Sequence, residues 1–342
     1  MLGMKLAIDF GSAELTILAE NKATVLREPS VMIYDSFTDT PIAMGEEALA
    51  MRGRLPPTMK EVIPIKDGSV YDFDAALRML QNHISRICQG KLLKPGVLMA
   101  VPDSVNEIER KTLIDVVTRA GAGRACFIPE SLAAAAGAGV RKSEAEGILV
   151  CDAGGGITEC AVISMWHVAA SHSVKVGGND LSNAIRDYIL HEYNLVIGED
   201  AAEEIKLNVG SAIYRTEEIA VIVCGKNPET GLPQFFEITS TEVYWILKSY
   251  MEEILGCVRS VLETIPVELL SDVMQRGILL CGGTANLFGI DRYIEWNTGI
   301  PTHRAASPEE CAVQGLGIFM NEERFLKKNG YQFISSEEEE TA

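Results

Sequence analysis

Two aspartates, each opening a glycine turn, have the spacing best suited to chemistry in this sequence. Asp9 opens the run DFGS at 9–12, and Asp152 opens the run DAGGG at 152–156. Glycine turns expose backbone N–H groups to an anion, and a carboxylate at the turn can hold a hydrated metal ion bound to that anion. Two such turns facing each other would clamp a nucleotide polyphosphate between two related domains.

The segments around both turns repeat the same pattern. Apolar runs at 5–8 and 15–18 flank the first turn, and runs at 147–151 and 160–163 flank the second. The pattern predicts two copies of strand, turn and strand, about half a chain apart. One such hairpin alone is usually an ordinary turn, but a third buried-strand pattern leads into another turn, GGT at 282–284, and this favours phosphate binding.

Length, charge and cysteine usage restrict the class of protein. The 342 residues favour two domains, each with its own core, and the net charge of −18 argues against a nucleic-acid partner. Eight cysteines without a CxxC pair and five scattered histidines favour a reduced cytosolic protein without a zinc site. We expect no secretory signal and no membrane-spanning segment, and we interpret the acidic run at 337–340 as a solvated tail.

Strand and helix patterns alternate along the chain, which predicts mixed α/β layers. A capping box at 104–107 predicts the start of one helix, and Thr239 with Glu242 predicts the start of a longer one. The alanine-rich segment 131–138 predicts a helix that packs closely on a sheet or a ligand. A further helix is predicted over 180–193.

Further motifs follow one another through the chain. They lie at 28–31, 45–48, 66–68, 72–73, 101–102, 107–110, 133–139, 152–164, 176–178, 197–212, 230–233, 266–269 and 277–284. In this order they resemble the actin-fold ATPases and, within that group, closely resemble the MreB family of bacterial actins. The resemblance implies an α/β actin-like ATPase fold: two related ribonuclease-H-like domains with a nucleotide cleft between them, each with a smaller inserted subdomain.

The resemblance also implies domain boundaries. Domain I would comprise residues 1–146 and 315–342, with its inserted subdomain at about 31–65. Domain II would comprise residues 147–314, with its insert at about 185–239.

Specific roles follow from the same resemblance. Asp9 and Asp152 would hold Mg²⁺ through water, and Glu130 would orient the attacking water, so these three are the implied catalytic residues. The implied nucleotide contacts are Gly11, Ser12, Ala13, Gly154, Gly155, Gly156, Glu203, Lys206, Gly282, Gly283 and Thr284. The expected cofactors are therefore ATP and Mg²⁺. Without the resemblance, an exposed Glu203 and Lys206 on one helix would be interpreted as a solvated face.

Three departures from the family pattern bear on hydrolysis. Ile157 stands where the family usually has a threonine, Glu14 stands where it usually has an asparagine, and the run PES at 129–131 replaces the usual EEP. Losing one positioning hydroxyl costs roughly 2–4 kcal/mol of transition-state stabilisation. The sequence therefore predicts nucleotide binding more strongly than efficient hydrolysis.

One loop raises the question of membrane binding. Leu92 and Leu93, flanked by Lys91 and Lys94, lie where MreB-like proteins carry a membrane-inserting loop. Apolar tips between cations suit a lipid interface, although a loop packed on its own domain is an equal alternative from sequence alone. The acidic net charge opposes anionic lipid, so a single subunit should bind weakly and a filament more strongly.

The resemblance implies a cytoskeletal ATPase that polymerises into membrane-associated filaments governing cell shape. Its expected partners are further copies of itself, the inner face of the plasma membrane and wall-synthesis proteins, and its expected location is cytoplasmic. Alternatives are a divergent paralogue that binds nucleotide and copolymerises but hydrolyses poorly, a DnaK-type chaperone ATPase, and a sugar or acetate kinase.

Overall fold

The computed structural model describes residues 3–20, 24–141 and 146–335, so the acidic run at 337–340 lies outside the described residues. In these ranges the strands are β1 (Lys5–Phe10), β2 (Glu14–Ala19), β3 (Thr24–Pro29), β4 (Met32–Asp35), β5 (Pro41–Met44), β6 (Met59–Val62), β7 (Ile65–Lys66), β8 (Ser69–Val70), β9 (Gly96–Val101), β10 (Arg124–Pro129), β11 (Ile148–Ala153), β12 (Thr158–Ser164), β13 (His167–Val174), β14 (Ala220–Lys226), β15 (Pro233–Thr239), β16 (Ile278–Cys281), β17 (Thr302–Arg304) and β18 (Ile334–Ser335).

The helices of the same ranges are α1 (Glu46–Met51), α2 (Phe73–Ile87), α3 (Glu107–Arg119), α4 (Glu130–Gly137), α5 (Gly178–Tyr193), α6 (Glu199–Val209), α7 (Ser240–Thr264), α8 (Val267–Arg276), α9 (Ile290–Thr298), α10 (Cys311–Phe319) and α11 (Glu323–Lys328). None of these helices combines the length and the apolar character that crossing a bilayer requires.

Two large sheets share one strand order. The first runs β3-β2-β1-β9-β10, with β18 added beyond β10, and the second runs β13-β12-β11-β16-β17. In each sheet an antiparallel three-stranded meander is extended by two strands parallel to its first strand. The predicted repeat of strand, turn and strand is thus confirmed, since the β1–β2 and β11–β12 hairpins occupy equivalent places.

Smaller elements attach to each sheet. Strands β4, β5 and β6 form a three-stranded sheet that packs with α1 around its own apolar core, which contains Val31, Ile33, Ala43 and Ala48. Strands β14 and β15 form a two-stranded sheet beside α6. The predicted domain and subdomain boundaries remain predictions.

Helices α4 and α10 cross between the large sheets and share a core with both of them. A Cβ at Gly137 would collide with the carbonyl of Cys311, and one at Gly315 would collide with the carbonyl of Ala133. The two backbones therefore touch. The predicted close packing of the alanine-rich helix is confirmed, because α4 also contacts strands of both sheets.

One predicted helix start is correct and the other is displaced. The Thr239 hydroxyl accepts from the Glu242 amide at 3.3 Å, and the Thr239 amide donates to the Glu242 carboxylate at 2.9 Å, as predicted. The box predicted at 104–107 is wrong by two residues: Asn106 caps α3, with Glu109 completing the box. The amide of Ser104 is instead bonded to Glu159 on β12.

Candidate functional site

A cavity of about 960 Å³ lies between the two large sheets. All fourteen residues implied for catalysis or nucleotide contact line it: Asp9, Gly11, Ser12, Ala13, Glu130, Asp152, Gly154, Gly155, Gly156, Glu203, Lys206, Gly282, Gly283 and Thr284. Its volume lies at the upper end of the range of ligand pockets. The structure therefore brings together residues that are nearly three hundred positions apart in the sequence.

The two glycine turns face each other across this cavity. A Cβ on Gly155 would lie 2.8 Å from the Cβ of Ala13, and one on Gly156 would lie 2.6 Å from the Ser12 hydroxyl. Each turn is closed by one backbone hydrogen bond of 2.9 Å, from Gly11 to the Glu14 carbonyl or from Gly154 to the Ile157 carbonyl. Only glycine permits this approach, since any side chain at 155 or 156 would push the turns apart.

Four amides at the turns remain available to an anion. The N–H groups of Ser12, Ala13, Gly155 and Gly156 donate to no acceptor in the described part of the chain. Successive N–H groups of this kind form an anion-binding concavity. The two turns therefore offer four backbone donors to polyphosphate oxygens.

The second turn is held from behind by the start of α5. The Gly178 amide donates to the Gly154 carbonyl at 3.0 Å, and the Asn179 amide donates to the Gly155 carbonyl at 2.8 Å. Thr284 adds a hydroxyl bond of 2.8 Å to the Gly154 carbonyl. The carbonyls of Gly154 and Gly155 thus accept hydrogen bonds from the start of α5, while, among the described residues, the amides of Gly155 and Gly156 stay free for a ligand.

Glu203 and Lys206 extend the cavity beyond the turns. The Lys206 ammonium donates to the Glu203 carboxylate at 2.7 Å and to the Gly178 carbonyl at 2.9 Å, and the Ser182 hydroxyl donates to the same carboxylate at 2.6 Å. This pair is therefore tied to α5 and is not a freely solvated face. The third turn lies close by, because a Cβ on Gly282 would reach within 2.5 Å of the Asp152 carboxylate.

Three carboxyl groups gather beneath the turns, with Asp152 buried and Asp9 and Glu130 half-buried. Burial, reinforced by Asp9, raises the pKa of Asp152 to about 7, and burial with a contribution from Glu14 raises the pKa of Asp9 to about 6. Burial raises the pKa of Glu130 well above its ordinary value, with further contributions from Asp152 and Asp9. Concentrated negative charge of this kind calls for a cation when the groups ionise.

This donor set fits Mg²⁺. Carboxylate oxygens are the ligands that Mg²⁺ prefers, and the ion usually keeps several of its waters. Within residues 3–335 that are described, no group of three or more His, Cys, Asp and Glu side chains is arranged to hold a metal ion directly. As the family resemblance implies, Asp9 and Asp152 would hold the ion through its waters.

Sequence reasoning missed two further carboxyl groups beside Glu130. The Glu159 carboxylate accepts from the Ser104 amide at 3.0 Å, and the Asp103 carboxylate accepts from the Ser131 hydroxyl at 2.5 Å. Burial, reinforced by Asp103, raises the pKa of Glu159 to about 8, and burial raises that of Asp103 to about 6. The hairpin register could have revealed Glu159, because it pairs with Asp152 across the two strands and so shares its face.

Ile157 at the second turn contacts the other side of the cavity. A Cβ on Gly68 would lie 2.9 Å from the terminal methyl carbon of Ile157 and 3.0 Å from the ring of Pro102. The side chain that replaces a family threonine therefore makes an apolar contact between the two halves of the site.

Leu92 and Leu93 lie away from the cavity, in the loop between α2 and β9. Leu92 is fully exposed and Leu93 is 46% exposed. The alternative of a loop packed on its own domain is therefore wrong for Leu92.

The chain matches the family model for the MreB/Mbl protein over residues 3–328. It is 38% identical to the cell shape-determining protein MreB of Escherichia coli over 323 residues, which is 93% of each chain, and 33% identical to the Mbl protein of Bacillus subtilis over 94% of this chain and 97% of that one. The crystal structure of MreB5 of Spiroplasma citri bound to ADP has a TM-score of 0.90 at 34% identity, covering 96% of this chain and 98% of that one, and the AMPPNP-bound structure of MreB5 is equally similar. The shared strand order, the paired glycine turns and these similarities lead to one conclusion: the chain belongs to the MreB/Mbl family of cell shape-determining proteins and has the actin-like ATPase fold.

Proposed function

We propose that this protein is a cytoskeletal ATPase that binds ATP with Mg²⁺ in the cavity and polymerises into membrane-associated filaments. The observation that carries the proposal is the meeting of two glycine turns, with Ser12 and Ala13 opposite Gly155 and Gly156. Their unpartnered amides suit the phosphates, and the carboxylates of Asp9 and Asp152 suit the metal. The similar protein MreB5 was crystallised with ADP and with AMPPNP, which supports a nucleotide as the ligand.

Each residue then has a task in binding or hydrolysis. The turn amides bind the phosphates, while Glu203, Lys206 and the turn at 282–284 bind the adenosine end. Mg²⁺, when bound, neutralises the phosphate charge and shields Asp9 from Asp152. Glu130, at the first turn of α4, orients the attacking water and, when ionised, can take up its proton.

We propose that hydrolysis is slow. Ile157 offers no hydroxyl to the water or the terminal phosphate, and its side chain instead packs near Gly68 and Pro102. The same observation supports the second candidate, a divergent paralogue that copolymerises with another MreB-like protein and hardly hydrolyses. The two candidates differ in whether this chain assembles alone.

The membrane part of the proposal depends on Leu92. A fully exposed leucine with Lys91 and Lys94 nearby can place its side chain among acyl chains while the ammonium groups stay at the headgroups. One such loop binds weakly, so a filament that presents many copies is needed for stable attachment. Filaments held at the inner face of the plasma membrane would organise wall-synthesis partners.

Sedimentation tests the proposal directly. Purified protein is centrifuged with ATP–Mg²⁺, with ADP–Mg²⁺ and without nucleotide, each with and without anionic liposomes. We expect ATP-dependent pelleting that liposomes increase. Protein that binds ATP but stays in the supernatant under every condition would support the copolymerising paralogue. Protein that binds no nucleotide would overturn both candidates.

A further inference from the structure

A row of alternating charges crosses the rim of the cavity. Arg52, at the end of α1, donates to both carboxylate oxygens of Glu61 on β6, at 2.7 and 3.1 Å. Its third nitrogen lies 3.0 Å from one carboxylate oxygen of Glu199 on α6. The other oxygen of Glu199 accepts from Arg186 on α5 at 3.2 Å.

The two sides of this row belong to separately packed parts of the protein. Arg52 and Glu61 lie on the small β4–β6 sheet with α1, which has its own apolar core. Glu199 and Arg186 lie on α6 and α5, whose buried side chains join the core of the second large sheet. The contact between Arg52 and Glu199, called here the rim pair, therefore joins two bodies that do not share a core.

The position of the rim pair gives it a relation to the cavity. Arg52, Glu199 and Arg186 all line the cavity that holds the glycine turns, and each side chain is partly exposed, between 23% and 48%. The bidentate contact with Glu61 fixes the guanidinium before Glu199 meets it, which lowers the entropy lost on pairing. A ligand inside the cavity therefore has this ion pair beside it on the side where the two bodies meet.

We infer that the rim pair is a gate that must open before a nucleotide enters or leaves the cavity. This inference rests on the proposed nucleotide site and adds a control on the rate of exchange. Partly exposed ion pairs are weak and are screened by salt, so the gate slows release without preventing it. Removing either partner should speed nucleotide release about three- to fivefold at low salt, as expected for an ion pair of this exposure.

The test is a double-mutant cycle on nucleotide release. The purified full-length chain is loaded with fluorescent mant-ADP and Mg²⁺, and release is followed after an excess of ATP is added. The variants are Arg52→Gln, Glu199→Gln and the double variant, each at low and high salt. We expect both single variants to release faster, the double variant to be no faster than either, and high salt to bring the wild type close to the variants.

Asp115→Asn is the matched control. It removes a 2.9 Å pair with Arg119 that lies within α3 and does not line the cavity, and it should leave release unchanged. If Arg52→Gln disturbs the small sheet, Glu199→Gln and the salt dependence of the wild type still decide the question.

The outcomes separate this inference from the proposed function. A wild-type protein that binds no mant-ADP would overturn the proposed function itself. Binding with unchanged release in Glu199→Gln, fully additive effects in the double variant, or a wild-type rate independent of salt would each overturn the gate and leave the nucleotide site standing.

Discussion

The Glu14 carboxylate lies 2.8 Å from one terminal nitrogen of the Arg27 guanidinium and 2.9 Å from its Nε atom. Arg27 also approaches Glu310, which precedes α10, at 3.6 Å. The negative charge that Glu14 brings to the first phosphate turn is therefore paired with a cation on the neighbouring strand. The departure from the family's asparagine is accommodated by Arg27, although Glu14 still contributes to the raised pKa of Asp9.

Replacing Arg27 should weaken nucleotide binding. In Arg27→Met the Glu14 carboxylate loses its partner beside the phosphates, and the dissociation constant for ATP should rise by about fivefold, equivalent to about 1 kcal/mol. Titration with a fluorescent ATP analogue measures this constant. The double variant Glu14→Asn/Arg27→Met should regain most of the affinity. If Arg27→Met binds ATP as tightly as the wild type, Arg27 does not neutralise Glu14 in the way proposed here.

Restoring a hydroxyl at the second turn should speed hydrolysis. In Ile157→Thr the new hydroxyl can help to position the terminal phosphate or the water, and the rate of phosphate release should rise by up to about 10²-fold. Ile157→Val is the control, since valine matches threonine in shape and has no hydroxyl. Equal rates in the two variants would mean that the hydroxyl has no part in the reaction.

Glu130→Gln should separate binding from hydrolysis. The amide cannot take up a proton, so phosphate release should fall roughly 10²–10⁴-fold. Affinity for ATP should change little, because the turn amides and the two aspartates remain. The two measurements are the rate of phosphate release with excess ATP and the affinity for ATP by titration. Loss of both together would assign Glu130 to binding instead.

The buried carboxyl groups should make stability depend on pH. Asp9, Asp152 and Glu159 have pKa values raised to about 6, 7 and 8, from 3.8 for the two aspartates and 4.5 for the glutamate. At pH values between the ordinary and the raised pKa of each group, the native state binds more protons than the unfolded state. The free energy of unfolding therefore falls as pH rises through this range. Mg²⁺ with nucleotide favours the ionised carboxylates and should stabilise more at high pH.

Urea unfolding from about pH 5 to about pH 8 measures this dependence. The ligand-free wild type is compared with Asp152→Asn, which removes one carboxyl group with a raised pKa. We expect a smaller loss of stability with rising pH in the variant. The same slope in both proteins would show that Asp152 is already ionised in the native state at the lower pH.

Removing the exposed leucine should weaken lipid binding. Leu92→Ser takes an apolar tip from between Lys91 and Lys94, and less protein should pellet with anionic liposomes in ATP–Mg²⁺. Leu232→Ser is the matched control, since Leu232 is also exposed, at 65%, and lies on the loop before β15. Equal losses in both variants would indicate a general effect of surface hydrophobicity.

The part of the site that could be predicted from sequence is the part encoded by short local patterns. The turns at 9–12 and 152–156 were readable because glycine spacing and a strand-ending aspartate are short-range features. Pairing between distant segments was not readable in this way. Glu159 accepts a hydrogen bond from the amide of Ser104, 55 positions away, and no local pattern predicts this contact. Arg52 and Glu199 are likewise 147 positions apart, and no periodicity links them.

The crossing of α4 and α10 has a mechanical consequence. Gly137 and Gly315 let the two backbones touch, and the α4 side chains at 133–136 are all alanines. The contact leaves no room for a side chain at either glycine, so a larger residue there would force apart the two helices and the strands that they contact. Since α4 begins at Glu130, a small shear at the crossing carries that carboxylate with it. The position of Glu130 and the packing of the two large sheets are therefore set at one and the same helix contact.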